Sequence, residues 1–225
     1  RDVAFALNAE VIKRGKGAEL FCLNTAIEAT SLNDRALCQL LPQDEFIRQH
    51  LTEEDFLVVS VGGNDLALAP LLATVINIVP LLCCTPQTCI ERGFACPPNS
   101  HVDCGCFGCG LPGCVTAAAC GCPPGLAYFV DLFGNRVENY VRRLLGGKVC
   151  RKVVVCMIYF IDEHSRGSWA DTFLCCMCYD LYPSRLQAAI RTVFELATRR
   201  IAIEGVQVEA FPLFRVLDGQ EPADY

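Results

Sequence analysis

One short segment, DFLVVSVGGNDLA at residues 55–67, limits the fold of this chain more than any other. Its apolar, β-branched run is too short for a helix and stops at Gly62-Gly63, which is typical of a buried strand in a parallel sheet. The glycine pair allows the backbone to turn sharply where the strand ends. Because ligands bind at the carboxyl ends of the strands in open α/β sheets, the segment predicts that Asn64 faces a binding site.

Strand patterns and helix patterns alternate along the rest of the chain. Apolar residues recur at helical spacing in several segments, and short apolar runs lie between these segments. The predicted helices cover residues 3–13, 31–41, 43–51, 126–144 and 186–197, and the predicted strands cover residues 18–24, 55–61, 152–160 and 206–214. This order implies βαβ units with right-handed crossovers. We therefore predict one α/β domain over residues 1–225, a three-layer α/β/α sandwich with a mostly parallel sheet.

The formal net charge of −6 argues against a nucleic-acid partner. Proteins that bind nucleic acids neutralise phosphates with clustered lysine and arginine side chains. Here the arginine pairs at residues 142–143 and 199–200 lie in helical stretches, and solvated helix ends account for them. We expect no nucleic-acid partner.

The cysteines are concentrated in one segment, because ten of the 17 fall within residues 83–122. This segment is rich in glycine and proline and cannot form a conventional core, so we predict an insertion that sulfur chemistry orders. Irregular spacing favours disulfides or free thiols, and zinc binding is the alternative. The candidate zinc ligands are Cys104, Cys106, Cys109 and Cys114. Only one Cys-x-x-Cys motif occurs in this segment, so zinc is the weaker interpretation, and we expect no cofactor.

Residues 66–84 carry no charge, and their length would suffice for a membrane span. Pro70, Asn77 and Pro80 interrupt the segment and no basic residue flanks it, so we predict no firm span. We expect a buried helix and a loop at the carboxyl end of the sheet. An alternative is a hydrophobic lid or protein-docking surface beside Asn64, which would suit a lipid-like acyl substrate.

The strand and the following Gly62-Gly63-Asn64-Asp65 resemble the third conserved block, Gly-x-Asn-Asp, of the SGNH (GDSL-type) hydrolases. Two further segments, one before and one after this strand, stand in the order that the family's conserved blocks have. CLNTAIEATS at residues 22–31 is similar to the second block, in which an asparagine precedes a glycine. LDGQEPA at residues 217–223 is similar to the Asp-x-x-His-Pro block after the last strand. The resemblance spans nearly the whole chain and implies a flavodoxin-like α/β/α sandwich.

The resemblance also implies a reaction, the hydrolysis of acyl esters by a serine nucleophile, a histidine base and an orienting aspartate. An oxyanion hole stabilises the tetrahedral intermediate in this chemistry. The resemblance assigns the side-chain amide of Asn64, next to Gly63, to the oxyanion hole. Ala29 stands in the place of the family's glycine and would donate its backbone N–H. Asp218 matches the orienting acid, and an acyl ester is the expected small-molecule partner.

Two parts of this machinery are missing from the sequence. No Gly-Asp-Ser motif occurs, and Glu221 stands where the family has histidine. A glutamate with an ordinary pKa of about 4.3 is ionised at neutral pH and cannot shuttle a proton as imidazole does. We therefore predict that these 225 residues have no hydrolase turnover.

Two interpretations stay open. The chain begins at Arg1 and ends at Tyr225, directly after the last predicted strand, which favours a fragment of a hydrolase whose other segments carry the serine and histidine. Alternatively, it is an inactive family member that serves as a structural or binding subunit among other protein chains. In either case, we expect another segment or chain to cover the core surface and strand edges that a lone fragment leaves open.

Overall fold

The computed structural model describes residues 3–35, 39–67, 72–96, 120–163, 179, 181–217 and 219–221. Its strands are β1 (Phe56–Ser60), β2 (Phe94–Ala95), β3 (Gly121–Cys122), β4 (Lys152–Met157) and β5 (Val208–Pro212). Its α-helices are α1 (Val3–Lys13), α2 (Pro42–His50), α3 (Gly63–Ala67), α4 (Leu72–Cys83), α5 (Gln87–Glu91), α6 (Leu126–Val130), α7 (Val137–Leu145) and α8 (Pro183–Leu196). A π-helical segment, Asp131–Arg136, joins α6 to α7, and 3₁₀ turns occur at Asn33–Arg35, Thr198–Arg200 and Leu213–Arg215.

Three of the strands form a parallel sheet in the order β1-β4-β5. Phe56 lies opposite Lys152, and Val153 lies opposite Val208. Helices occupy both connections, because neighbouring parallel strands can be joined only by a long crossover. The structure therefore confirms a mixed α/β fold with a parallel sheet, an arrangement compatible with an α/β sandwich.

One face of this sheet carries the hydrophobic core. Leu57 and Val59 of β1 are buried, as are Val153 and Val155 of β4, and they pack with side chains of α6, α7 and α8. On the other face, Phe56 and Val58 are about half exposed, at 53% and 48%, and Phe211 of β5 is 38% exposed. The prediction that this strand is fully buried is therefore wrong for β1, because burial alternates along it and the core takes only one face.

The N-terminal segment departs from a second prediction. α1 forms where helical spacing predicts it, but none of its residues is buried. Residues 18–24, predicted as a strand, form turns and irregular structure, with Phe21 80% exposed. A strand needs a neighbouring ladder for its backbone groups. None of the described strands pairs with the outer edge of β1. Residues 18–24 therefore have the composition of a strand but no neighbouring strand with which to form a ladder.

Helices occur in both the uncharged segment (residues 66–84) and the first part of the cysteine-rich segment (residues 83–122). α4 forms where a buried helix is predicted, but it buries only one side, with Ile78 and Leu81 in the core and Ile76 58% exposed. No helix in the described part of the chain has both the length and the apolar character needed to cross a bilayer. At the ends of the cysteine-rich segment, α5 buries Ile90, and β2 pairs with β3 in antiparallel orientation. Residues 97–119, which include the four candidate zinc ligands, lie outside the described residues.

Candidate functional site

The turn after β1 places Asn64 at the carboxyl end of the sheet. Gly62 has a φ of 97°, in the region that favours glycine, and a methyl group added there would lie 2.7 Å from Cε1 of Phe133. Glycine is therefore required at this contact. α3 begins at Gly63, so Asn64 lies in the first turn of that helix and is half-buried. The sequence predicts Asn64 at this edge, and its role in binding stays a prediction.

The segment around Ala29 lies beside Asn64. Nδ2 of Asn64 donates a hydrogen bond to the carbonyl oxygen of Thr30 at 2.8 Å. The preceding residue, Ala29, has a φ of 64°, a left-handed conformation that is uncommon for residues other than glycine. The resemblance places the family's glycine at this position. The two residues assigned to the oxyanion hole thus lie close together at one edge of the sheet.

Asp65 anchors the same segment one step further along, a role that the sequence analysis did not assign. Its side chain is fully buried and accepts hydrogen bonds from the backbone N–H groups of Leu32 at 2.8 Å and Asn33 at 3.0 Å. Burial raises the pKa of Asp65 above the ordinary aspartate value, and the two N–H donors oppose part of that shift. Asn64 and Asp65 together fix residues 30–33 against the start of α3.

A buried ion pair holds the far end of this segment. Arg35 contacts Asp44 through Nε at 2.7 Å and Nη2 at 3.2 Å, and only 3% and 1% of the two residues are exposed. Arg35 also donates to the carbonyl oxygen of Ser31 at 2.6 Å. The hydroxyl of Tyr140 donates to Oδ1 of Asp44 at 2.7 Å, and burial raises the pKa of Tyr140, so the phenol keeps its proton. Of the helix predicted at residues 31–41, the structure describes only the Asn33–Arg35 turn and the irregular residues beside it.

An apolar cavity of about 20 Å³ lies behind the turn that bears Asn64. Leu66, Phe133 and Ile158 form the part of its wall nearest the turn, and residues of α4, α6, β4 and α8 form the remainder. Phe133 contacts Gly62, and Ile158 lies close to Gly63. The cavity therefore adjoins the glycine turn directly, and its apolar lining makes it a site for an alkyl group rather than for water.

The C-terminal segment reaches the loop that follows β4. The backbone N–H of Glu163 donates to the carbonyl oxygen of Gly219 at 2.8 Å, and Gln220 contacts the carboxylate of Glu163 at 3.4 Å. Glu221, in the place of the family's histidine, is exposed, whereas Asp218 lies outside the described residues. Among the residues that the structure describes, no cluster of histidine, cysteine, aspartate and glutamate could hold a metal ion.

Comparisons of the chain with protein-family models, with curated proteins and with solved structures found no match. A functional assignment therefore depends on the geometry of the site.

Proposed function

We propose that this chain is an SGNH-hydrolase-like protein that binds the carbonyl group of an acyl ester at the carboxyl edge of its sheet. The contact between Asn64 and the Ala29-Thr30 segment is the main support for this proposal. A side-chain amide has two N–H donors, and the hydrogen bond to Thr30 engages one of them. The second donor, together with the backbone N–H of Ala29, would stabilise an oxygen atom that gains negative charge.

The anchoring contacts around this edge support such a role. Hydrogen bonds to a developing charge are most effective when the donors are held in place before the reaction begins. Asp65 holds the backbone at Leu32 and Asn33, and the Arg35–Asp44 pair holds the end of the same segment. These contacts keep Ala29 and Asn64 in a fixed relation without a ligand.

The adjoining cavity indicates the acyl group that such a site would accept. A volume of about 20 Å³ corresponds to one or two water-sized groups. The alkyl end of a short acyl chain fits this space, whereas a long chain would have to extend along the surface. We therefore propose short-chain acyl esters as the ligand class.

The proposal separates binding from turnover. This sequence has no Gly-Asp-Ser motif and has Glu221 in the place of the histidine, so the 225 residues lack a positioned nucleophile and base. Removal of either group typically costs several orders of magnitude in rate. A fluorophosphonate probe, which attaches covalently to activated serines, should leave the chain unlabelled. Labelling of any serine in it would contradict this part of the proposal.

Binding is tested directly at the Asn64 side chain. Butyl methylphosphonate, a tetrahedral anion with a short alkyl group, should shift the side-chain amide resonances of Asn64 in a saturable way. Asn8 is a matched control, because its Nδ2 also donates to a backbone carbonyl, that of Cys22, at 2.8 Å, away from the site. Asn64→Ala should abolish binding. Equal shifts at Asn8 and Asn64, or no saturable shift at millimolar phosphonate, would exclude the oxyanion-site assignment.

A second candidate function is that of a structural or binding subunit, and the exposed apolar surface favours it. Phe56 and Val58 on the open sheet face are about half exposed, and α1 exposes Phe5 and Ile12 at 52% and 69%. Large contiguous apolar surfaces mark sites that other proteins cover. In this interpretation a further layer of protein lies on the open face and completes the three-layer sandwich.

Sedimentation velocity distinguishes the second candidate from the first. If protein covers the open face, the chain should associate with rising concentration, and the double variant Phe56→Ser, Val58→Ser should associate less. Leu181→Ser is the control, because Leu181 is 71% exposed but lies outside the sheet. A chain that stays monomeric at all concentrations and binds the phosphonate would favour the first candidate.

A further inference from the structure

The two ends of the cysteine-rich segment meet in a short antiparallel ladder. β2 and β3 pair with Phe94 opposite Cys122 and Ala95 opposite Gly121. The next backbone N–H, that of Cys96, donates to the carbonyl oxygen of Cys120 at 2.9 Å. One of the two hydrogen bonds of a further pair is therefore present, and it brings Cys96 to the position facing Cys120.

This position meets the Cα distance criterion for a disulfide, and a small shift of the two strand ends would bring the Cβ atoms into range. The Cα atoms of directly opposite, hydrogen-bonded residues in an antiparallel pair are about 5.5 Å apart. Disulfides join residues whose Cα atoms are roughly 4.4–6.8 Å apart. The diagonal combination, Cys96 with Cys122, places the residues about 7–8 Å apart, beyond that range.

The two side chains also lie on the same face of the ladder, where Cys96 is exposed and Cys120 is partly buried. Successive residues of a strand point to opposite faces. Ala95 is 9% exposed and packs in the core, whereas Cys96 on the other face is exposed. Cys120 is only partly exposed and packs against the edge of the core. Both thiols are free in this structure, and a small oxidant can reach Cys96 first because it is the exposed one.

The ladder is held in position before any bond forms. A methyl group at Gly93 would lie 2.4 Å from Cδ2 of Leu126, and one at Gly121 would lie 3.0 Å from Cβ of Ala127. Both strands therefore pack tightly on the start of α6. A pair of thiols that a rigid scaffold holds side by side reacts at a high effective concentration.

We propose that Cys96 and Cys120 form a disulfide that closes the chain from residue 96 to residue 120, with oxidised glutathione or a similar small disulfide as the oxidant. One cysteine thiolate attacks a sulfur of oxidised glutathione and releases one glutathione thiol. The second cysteine attacks the mixed disulfide and releases the other. Two cysteine protons are lost, and the two electrons end on the two glutathione molecules.

Disulfide mapping of the full chain tests this proposal. The chain is incubated in glutathione redox buffer, quenched with acid, alkylated and digested without reduction. Trypsin alone fails here, because no lysine or arginine lies between Arg92 and Arg136. Additional cleavage before Asp103 and within residues 115–119 is therefore needed. It places Cys96 in one peptide, Cys120 and Cys122 in another, and the four intervening cysteines in a third. The expected product links the peptide of Cys96 to that of Cys120.

Two variants assign the bond within that product. Cys120→Ser should abolish the linked peptide, whereas Cys122→Ser, two residues away in the same peptide, should leave it intact. The reduced Cys122→Ser variant should unfold at the temperature of the reduced wild type, because Cys122 is exposed. The reduced Cys120→Ser variant should unfold at a slightly lower temperature, because Cys120 packs against the core. Loss of the link in Cys122→Ser, persistence in Cys120→Ser, or Cys96 alkylated or bonded elsewhere in the wild type would overturn the assignment.

Discussion

The two helices α1 and α8 both carry large apolar side chains, but only α8 buries them. α8 buries six side chains in the core, those of Leu186, Ala188, Ala189, Ile190, Val193 and Phe194. α1 contains Val3, Phe5, Leu7 and Ile12 and buries none of them. Full burial of one large apolar side chain contributes about 1.5–3 kcal/mol. Helical spacing in the sequence therefore specifies that a helix forms. How much the helix contributes to stability depends on whether its apolar side chains meet other apolar surface.

The largest expected effect contrasts two ion pairs of similar length, one buried between the Asn33–Arg35 turn and α2 and one exposed on α1. Asp44→Ala leaves the guanidinium of Arg35 buried without its carboxylate, and such losses cost about 3–5 kcal/mol in the free energy of unfolding. The exposed pair of Glu10 and Arg14 on α1 has a comparable N–O distance of 2.8 Å, and Glu10→Ala should cost at most about 1 kcal/mol. Urea denaturation measures both. Equal costs would mean that the Arg35–Asp44 pair is open to water in solution.

The second contrast truncates one buried and one exposed apolar side chain. Leu144 of α7 is 1% exposed, and Leu144→Ala should lower the free energy of unfolding by about 2–5 kcal/mol. Phe5 of α1 is 52% exposed, and Phe5→Ala should change it by less than about 0.5 kcal/mol. A large loss in Phe5→Ala would show that α1 is covered in solution and would break the comparison.

The third contrast uses two glycines with left-handed backbone. Gly62 and Gly147 have φ values of 97° and 84°, so alanine at either position carries a backbone cost of about 1–2 kcal/mol. Gly62→Ala also drives a methyl group into Phe133, whereas nothing lies within 4 Å of one at Gly147. We expect Gly62→Ala to be less stable than Gly147→Ala by a further 1–3 kcal/mol, roughly. Equal melting temperatures would show that Phe133 does not pack on the turn.

The smallest expected effect is a pH dependence at the site. Burial raises the pKa of Asp65 in the folded chain above the ordinary value of about 3.9. The stability that this group contributes is therefore fully present below the ordinary value and is lost as the pH rises through the raised pKa. The free energy of unfolding of the wild type minus that of Asp65→Asn should fall as the pH increases from about 3 to 7. A difference that rises over this range would contradict the direction of the shift.

The spacing of apolar residues in the sequence correctly predicts the helices and the strand that pack in the core. The spacing at residues 126–144 and 186–197 identifies α6, α7 and α8, and the apolar run at 152–160 identifies β4. These segments repeat apolar residues at the period of the structure that they form. The predicted strand at residues 18–24 fails because pairing, not composition, makes a strand. Nothing in its seven residues reports whether a neighbouring ladder exists.

The candidate site divides in the same way. The glycine turn marks the end of β1 from sequence alone, and the resemblance identifies Asn64 and Ala29 as residues of interest. The partners of Asp65 and Asp44 cannot be inferred from the sequence, because Tyr140 reaches Asp44 from almost a hundred residues away. From the sequence alone, an aspartate in a helix or turn is as consistent with a solvent-exposed side chain as with a buried one that accepts hydrogen bonds. Only the three-dimensional packing identifies the anchors that fix the edge.

The parallel pairing of β1 with β4 sets an order of events on the ribosome. Phe56 pairs with Lys152, so β1 leaves the exit tunnel long before the strand that will lie beside it has been made. During that interval both edges of an FLVVS segment lack a ladder, and long-range pairing of this kind folds slowly and exposes strands to aggregation. The helices that will bury Leu57 and Val59 also lie between the two strands in sequence or after them. Nascent chains that end before β4 should therefore depend on chaperones more strongly than chains that extend past β5.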